Sequence, residues 1–382
     1  MFDWFDFDKQ ILTRFNYLLI LQLLPLLVIS SFLVNEISPT LFKKQMIYYI
    51  LGFLIFFVAI IIPWRRILWW FVPFVYISSL ILVEMVQFFG ITIDGAKRWI
   101  AIPGIGFTVQ PSELMKISVI LMLAYIIHKN PPPAEGYGVK VFLKLSVIIL
   151  IPFVLILKQP DLGTALSLLL VAYGVLFIIG IKWKIWLSLA LIVGLSAPIL
   201  YTYGLKPYQK QRIHDFVNEP SYQVKQALIA IGSGGLHGKS KDEATQTQMK
   251  FLPVVSSDFI FAYLGERLGF VGMMSVVALY ILLILHLLYI SMKETKDYLI
   301  KVFATGLAWI FFIHMVVNIY MIIGLAPVVG LPLPMFSHGG TSFMIFIALF
   351  GILQNLLAFK NYLGYNTDSK ITMISRENIS AR

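Results

Sequence analysis

This sequence predicts an all-α fold: a polytopic membrane bundle of about ten helices. Composition predicts it first. The 382 residues are 59% hydrophobic and only 13% charged, with a mean hydropathy of +0.85, more apolar surface than a soluble core of this size can bury. Segmentation predicts it second, because the apolar residues fall into runs of about 17–25 residues, the length a helix needs to cross a bilayer. One long stretch, Lys206 to Gly272, is too polar to cross and holds Arg212, Lys239, Asp242, Glu243, Lys250, Asp258, Glu266 and Arg267. Residues 1–365 are therefore expected to form one integral membrane domain with a long extracytoplasmic loop at 204–270. Residues 366–382 are expected to be a polar, disordered tail.

Taken in order, the runs lie near 16–35, 45–62, 67–89, 112–128, 141–157, 162–180, 185–203, 270–292, 301–324 and 338–360. Their orientation follows from the short loops. Lys9, Arg14, Arg65, Arg66, Lys129, Lys140, Lys182, Lys184, Lys293, Lys296 and Lys301, with Lys360, Lys370, Arg376 and Arg382 of the tail, fall on one side. The positive-inside rule makes that side cytoplasmic, puts both termini there and turns the long loop outward. It also accounts for 30 Lys and Arg against 19 Asp and Glu, formally +11, with no nucleic-acid partner. No cysteine is present, which excludes disulfides, thiolate metal sites and thiol nucleophiles. At the N-terminus, Met1-Phe2-Asp3-Trp4-Phe5-Asp6-Phe7-Asp8 has acids and aromatics where a signal peptide has a basic region, and is expected to lie at the membrane surface.

Proline and glycine punctuate the chain. Pro131-Pro132-Pro133 closes the fourth span, and Pro160-Asp161 leaves almost no room between the fifth and the sixth, with Asp161 placed to cap the sixth. Ala326 to Pro334 is apolar, yet Pro327, Pro332 and Pro334 forbid regular helix. Unwound backbone at membrane depth must be satisfied by protein or by a water-filled cavity, so this segment is predicted to face the bundle interior. Ser337-His338-Gly339-Gly340-Thr341-Ser342 then opens the last helix. In the long loop, 222–231 is predicted to be a short amphipathic helix, lying on the membrane or packed on the bundle, with Val224, Leu228 and Ile231 on one face. Gly232-Ser233-Gly234-Gly235 ends it, and those glycines either terminate the helix or form an anion-binding nest.

Two constellations carry ionisable groups into apolar surroundings. Pro253 and Ser256-Ser257 run into a helix with Asp258 in or near its first turn. A helix N-terminus favours the carboxylate there while burial disfavours it, so Asp258 is either a helix cap or a general base working near neutral pH. Glu266 and Arg267, a turn or more later, are either part of the same site or an ordinary surface pair. In the second constellation Glu113 and Lys116 stand i, i+3 in the first turn of the fourth span, where charges are expensive and normally paired. An ion pair lining a cavity is expected. Arg98, beside Trp99, suits either the membrane interface or a phosphate. His128 and His338 do not have the spacing of a metal site.

These motifs resemble the SEDS family (shape, elongation, division and sporulation) over nearly the whole chain. The resemblance rests on Gly95-Ala96-Lys97-Arg98-Trp99, Gln110-Pro111-Ser112-Glu113, Gln159-Pro160-Asp161-Leu162-Gly163-Thr164, Asp258-Phe259-Ile260-Phe261-Ala262, and Gly330-Leu331-Pro332-Leu333-Pro334 followed by Gly339-Gly340. Thr245 to Pro253 and Leu325 to Gly330 are more similar to the elongation branch, RodA, than to the division branch, FtsW. The resemblance implies a peptidoglycan glycosyltransferase of the bacterial inner membrane that polymerises lipid II. Asp258 matches the family's essential aspartate, and Arg98, Glu113, Lys116, Asp161, Arg212 and Gln246 match functional or cavity-forming positions. Two departures stand out: Val254-Val255-Ser256-Ser257 replaces a more polar stretch before the aspartate, and His338 replaces a usual Tyr.

One base and several cations suffice for the implied chemistry, since a pyrophosphate leaving group needs countercharge and little acid help. A divalent cation, Mg or Mn, serves beside or instead of the basic side chains in such a reaction. The resemblance also implies a class B penicillin-binding protein and other elongation-complex proteins as partners. A lipid II flippase and a non-catalytic scaffold are the rival functions.

Overall fold

The computed structural model describes residues 15–360, except 94–95, 103–106, 160, 205–209, 211–212, 215, 219, 245, 247–250 and 253–254. The expected N-terminal surface segment, the polar tail and Arg212 lie outside the described residues. Among those described, nine helices are long and apolar enough to cross a membrane. They are α1 (Tyr17–Ile37), α2 (Pro39–Ile61), α3 (Trp64–Phe89), α4 (Pro111–Lys129), α5 (Val139–Lys158), α6 (Leu162–Ile179), α9 (Ile260–Lys293), α10 (Tyr298–Ile322) and α11 (Gly340–Ala358). Between α6 and α9 come α7 (Trp183–Ile199) and α8 (Tyr222–Gly234). At 17 residues α7 rises about 25 Å, short of a hydrocarbon core of about 30 Å, and it runs on into a wide turn at Leu200–Gly204.

Local chemistry sets the boundaries. Asn16 caps α1 through Leu19 N–H, and Asp297 caps α10 through the N–H groups of Leu299 and Ile300. Proline stands at the first turn of α2 and of α4, where its missing N–H costs nothing. The core lies where α4, α10 and α11 meet, helices buried on most sides, while α2 and α3 turn apolar faces outward as lipid-facing helices do.

The expected all-α membrane bundle forms, and one small element adds to it: between α3 and α4 runs a three-stranded antiparallel sheet, β1 (Ile91–Ile93), β2 (Ala96–Ile102) and β3 (Phe107–Val109). Ile100 pairs with Val109 and Thr92 with Lys97. The signal is present in β-branched residues around the Asp94-Gly95 pair that hairpins favour, but it is short and lies between two long apolar runs.

The amphipathic helix of the long loop forms as α8 and packs on the bundle, against α9, with its buried face rotated from the expected one. Val224, Ala227, Ala230 and Gly234 are buried while Leu228 is exposed. Small residues let the backbones approach, for a Cβ on Gly234 would stand 2.0 Å from the Gly265 carbonyl. The glycine run therefore serves helix contact and termination, Gly235 ending α8 at φ +55°. The α9 backbone kinks at Gly269, whose φ of +66° only glycine adopts freely and against which Leu236 and Gly238 press. Glu266 and Arg267 are not a surface pair. Glu266 is fully buried and accepts the Gln246 N–H, while Arg267 clamps Glu36 of α1 with two bonds of 2.6 and 2.7 Å.

Candidate active site

At one end of the bundle a cavity of about 290 Å³ opens between β2, the start of α4, the turn before α9, the unwound stretch 324–339 and the start of α11. Its wall carries Asp258, Glu113 and Arg98, three of the residues singled out from sequence, together with Tyr48, Gln110, Thr164 and His338. The volume suits part of a polar ligand rather than a whole lipid.

Asp258 precedes its helix. The residues 255–259 form a turn, and the N-cap position belongs to Phe259, one residue on. The turn is stitched to the unwound stretch: Ser337 Oγ donates to the Ser257 carbonyl at 2.6 Å and the His338 N–H to the Ser256 carbonyl at 2.9 Å. The unusual Ser256-Ser257 pair thus holds its place through backbone carbonyls, which any residue offers. Tyr280 and Ser30 hold the same stretch from outside, donating to the carbonyls of Pro334 and Phe336. Gly330, at φ +69°, lies so near that a Cβ there would stand 3.3 Å from Asp258 Oδ2.

Charge in the cavity is arranged in pairs. Lys116 Nζ lies 2.8 Å from Glu113 Oε1, the expected i, i+3 ion pair, with Lys116 buried behind Glu113. Arg98, carried by β2, lies 3.5 Å from Asp161. That aspartate is almost wholly buried, accepts the Gln110 side-chain amide at 2.9 Å and caps α6 through the Thr164 N–H at 3.2 Å. Asp161 therefore orients Arg98 from behind rather than lining the space itself.

The α11 helix aims its N-terminus at the same space. Gly339, Gly340, Thr341 and Ser342 line it, and Thr341 is tied to the sheet by its bond to the Thr108 carbonyl at 2.8 Å. The first N–H groups of a helix have no intrahelical acceptors and carry partial positive charge, so this end and Arg98 together suit an anion. Two glycines make the approach possible: a Cβ on Gly340 would strike the Tyr48 ring at 2.5 Å, and one on Gly163 the Val329 carbonyl at 2.2 Å.

Gln246 is not brought to the cavity. Its N–H binds the Glu266 carboxylate of α9, and its carbonyl accepts from the N–H groups of Phe251 and Leu252. Among the described residues no three of His, Asp or Glu gather as metal ligands. Sequence reasoning missed Tyr48, Thr108 and Thr164 as wall residues; nothing in an isolated tyrosine or threonine of an apolar run marks it as facing a cavity.

The sequence pattern of the FtsW/RodA/SpoVE family, described as a cell cycle protein, matches residues 10–362. The chain belongs to this family. It is 49% identical over 361 residues to the peptidoglycan glycosyltransferase MrdB of Helicobacter pylori (strain ATCC 700392 / 26695), covering 94% of both chains. To the MrdB of Escherichia coli K12 it is 37% identical over 349 residues, 88% of this chain and 92% of that one. Of solved structures, a chain of a peptidoglycan synthase complex that coordinates polymerization and crosslinking matches with a TM-score of 0.77 at 26% identity, over 91% of this chain and 99% of that one. Thermus thermophilus RodA matches with a TM-score of 0.68 at 27% identity, over 91% and 98%. Family membership confirms the resemblance drawn from the five motifs, and the MrdB relatives and the RodA structure bear out its RodA-like character.

Proposed function

We propose that this protein is a peptidoglycan glycosyltransferase that polymerises lipid II into β-1,4-linked glycan during cell elongation and rod-shape maintenance, with Asp258 as its general base. The observation that carries this reading is the placement of one carboxylate, on a turn outside any helix, in the same cavity wall as Arg98 and a helix N-terminus. In the reaction the 4-hydroxyl oxygen of an acceptor GlcNAc bonds to C1 of the donor MurNAc. Asp258 takes the hydroxyl proton, and the C1–O bond breaks with its electron pair leaving on the undecaprenyl pyrophosphate. Attack opposite an α-linked pyrophosphate inverts the centre and gives the β link. Glycosidases that use paired carboxylates need an acid for the leaving group; a pyrophosphate needs only countercharge. Arg98 and the α11 N-terminus supply it in this cavity.

A divalent cation, Mg or Mn, would neutralise the same leaving charge. Its protein ligands would be Asp258 and Glu113 at most, shared with substrate phosphates, as Mg²⁺ often binds. The relatives named above support the activity, and the synthase complex supports a class B penicillin-binding protein as crosslinking partner alongside other elongation-complex proteins. The basic loops support the inner membrane with both termini cytoplasmic, which turns the cavity outward.

Purified lipid II in detergent, with the penicillin-binding partner and a control lacking this chain, tests the assignment. Wild type yields polymer, and folded Asp258→Asn loses on the order of 10²–10⁴-fold in rate, the worth of a general base. Equal polymer from both removes Asp258 as base, and none from either favours a flippase or a scaffold.

A further inference from the structure

One face of α10 joins the two charged constellations, and it does so through two buried polar residues of the span. His314 and Asn318, spaced i, i+4 and fully buried, both reach the unwound stretch. Asn318 Nδ2 donates to the Leu331 carbonyl at 2.7 Å and to the carbonyl of Asp258 itself at 2.8 Å. Next along the helix face, His314 bridges the Pro332 carbonyl at 3.0 Å and Lys116 Nζ at 3.1 Å. An ammonium has only protons to give. His314 Nε2 therefore accepts from Lys116, and Nδ1 carries the ring's proton and donates it to Pro332. Two adjacent carbonyls left without helical partners by the prolines are thus both taken by α10. Buried polar side chains in a membrane span are costly, and these two are placed where each touches one half of the site.

We propose that His314 and Asn318 are positioning residues that set the register between the Asp258 base and the Glu113–Lys116 pair, His314 acting through Lys116 and Asn318 through the backbone of Asp258. The inference rests on Asp258 being the base. An imidazole suits the task because it offers an acceptor without a charge of its own, which keeps Lys116 aimed at Glu113.

The test is steady-state polymerisation of lipid II by the full chain with its penicillin-binding partner, with the thermal midpoint of each variant measured in the same detergent. Asn318→Leu and His314→Leu are expected to lower kcat on the order of 10–100-fold, the effect of about an ångström of misplacement, at a KM within about twofold of wild type. His314→Gln puts an amide oxygen near the old Nε2 position, keeps the acceptor for Lys116 and is expected to recover kcat to within about threefold. His314→Asn keeps the donor near Nδ1, cannot reach Lys116 and is expected to stay low. Equal kcat for the Gln and Asn variants, wild-type kcat in either Leu variant, or a loss confined to KM overturns the proposal. If the Leu variants do not fold, the contrast between Gln and Asn decides alone. Asp258→Asn runs beside them: retained activity there overturns the base assignment and the positioning proposal together, whereas its loss without a Gln–Asn contrast overturns only the latter.

Discussion

The unwound stretch 324–339 and helix α7 invert what their secondary structure suggests. The stretch has no regular backbone, yet it is among the best-anchored parts of the molecule. Leu331, Leu333, Met335 and Phe336 are buried, and side chains from α1, α9 and α10 hold its carbonyls. By contrast α7 is a regular helix with no buried residue. Only its start is docked, through Trp186 in an aromatic group with Phe142, Tyr173 and Phe177, and beyond Leu189 its leucines and isoleucines face outward. Backbone regularity and tertiary anchoring are separate properties. A helix satisfies its own polar groups and is free to stand in lipid, whereas broken backbone at membrane depth must borrow partners and becomes fixed by them.

Three substitutions sharpen the contrast. The largest effect is expected from Lys116→Met, which leaves the Glu113 carboxylate without its cation and the His314 acceptor without its donor. Breaking one side of a buried pair costs about 3–5 kcal/mol, read as a lower denaturation midpoint in detergent. Next comes Gly163→Val. Its Cβ would overlap the Val329 carbonyl, forcing α6 and the stretch apart at a cost of about 1–3 kcal/mol, with a parallel fall in polymerisation rate. An unaltered midpoint in this variant would show the stretch to be looser than its bonds indicate. The smallest effect belongs to Leu191→Ala on the outward face of α7, where stability should move by less than about 0.5 kcal/mol. A large loss there would mean that α7 docks more firmly than its exposure implies.

Much of the fold was legible because its signals are local. Span length, the proline breaks, the Asp161 cap and the Glu113–Lys116 spacing each depend on a few neighbouring residues, and all appear as expected except at α7, which is shorter than the run at 185–203 predicts. The sheet was missed although its signal was equally local, since alternation over three to seven residues is faint beside ten apolar runs. The site was half legible. Asp258, Glu113 and Lys116 were marked by being ionisable beside apolar runs, Arg98 by its place next to Trp99 and Asp161 as a helix cap, though Asp161 and Lys116 stand behind the wall rather than in it. Gln246 was carried by resemblance alone, and its N–H is bound to Glu266 of α9 rather than turned to the cavity.

The sequence by itself determined that this chain crosses a membrane many times, where it breaks, and which carboxylate stands apart, because hydropathy, proline geometry and the cost of a charge in an apolar run are properties of single residues and their neighbours. Only the tertiary structure decided that Arg98 leans on Asp161, that Arg267 is spent on Glu36, and that Asn318 binds the Asp258 carbonyl while His314 binds Lys116. Those pairings join residues tens to hundreds of positions apart, and a partner's identity depends on which helix faces meet, which no local pattern encodes.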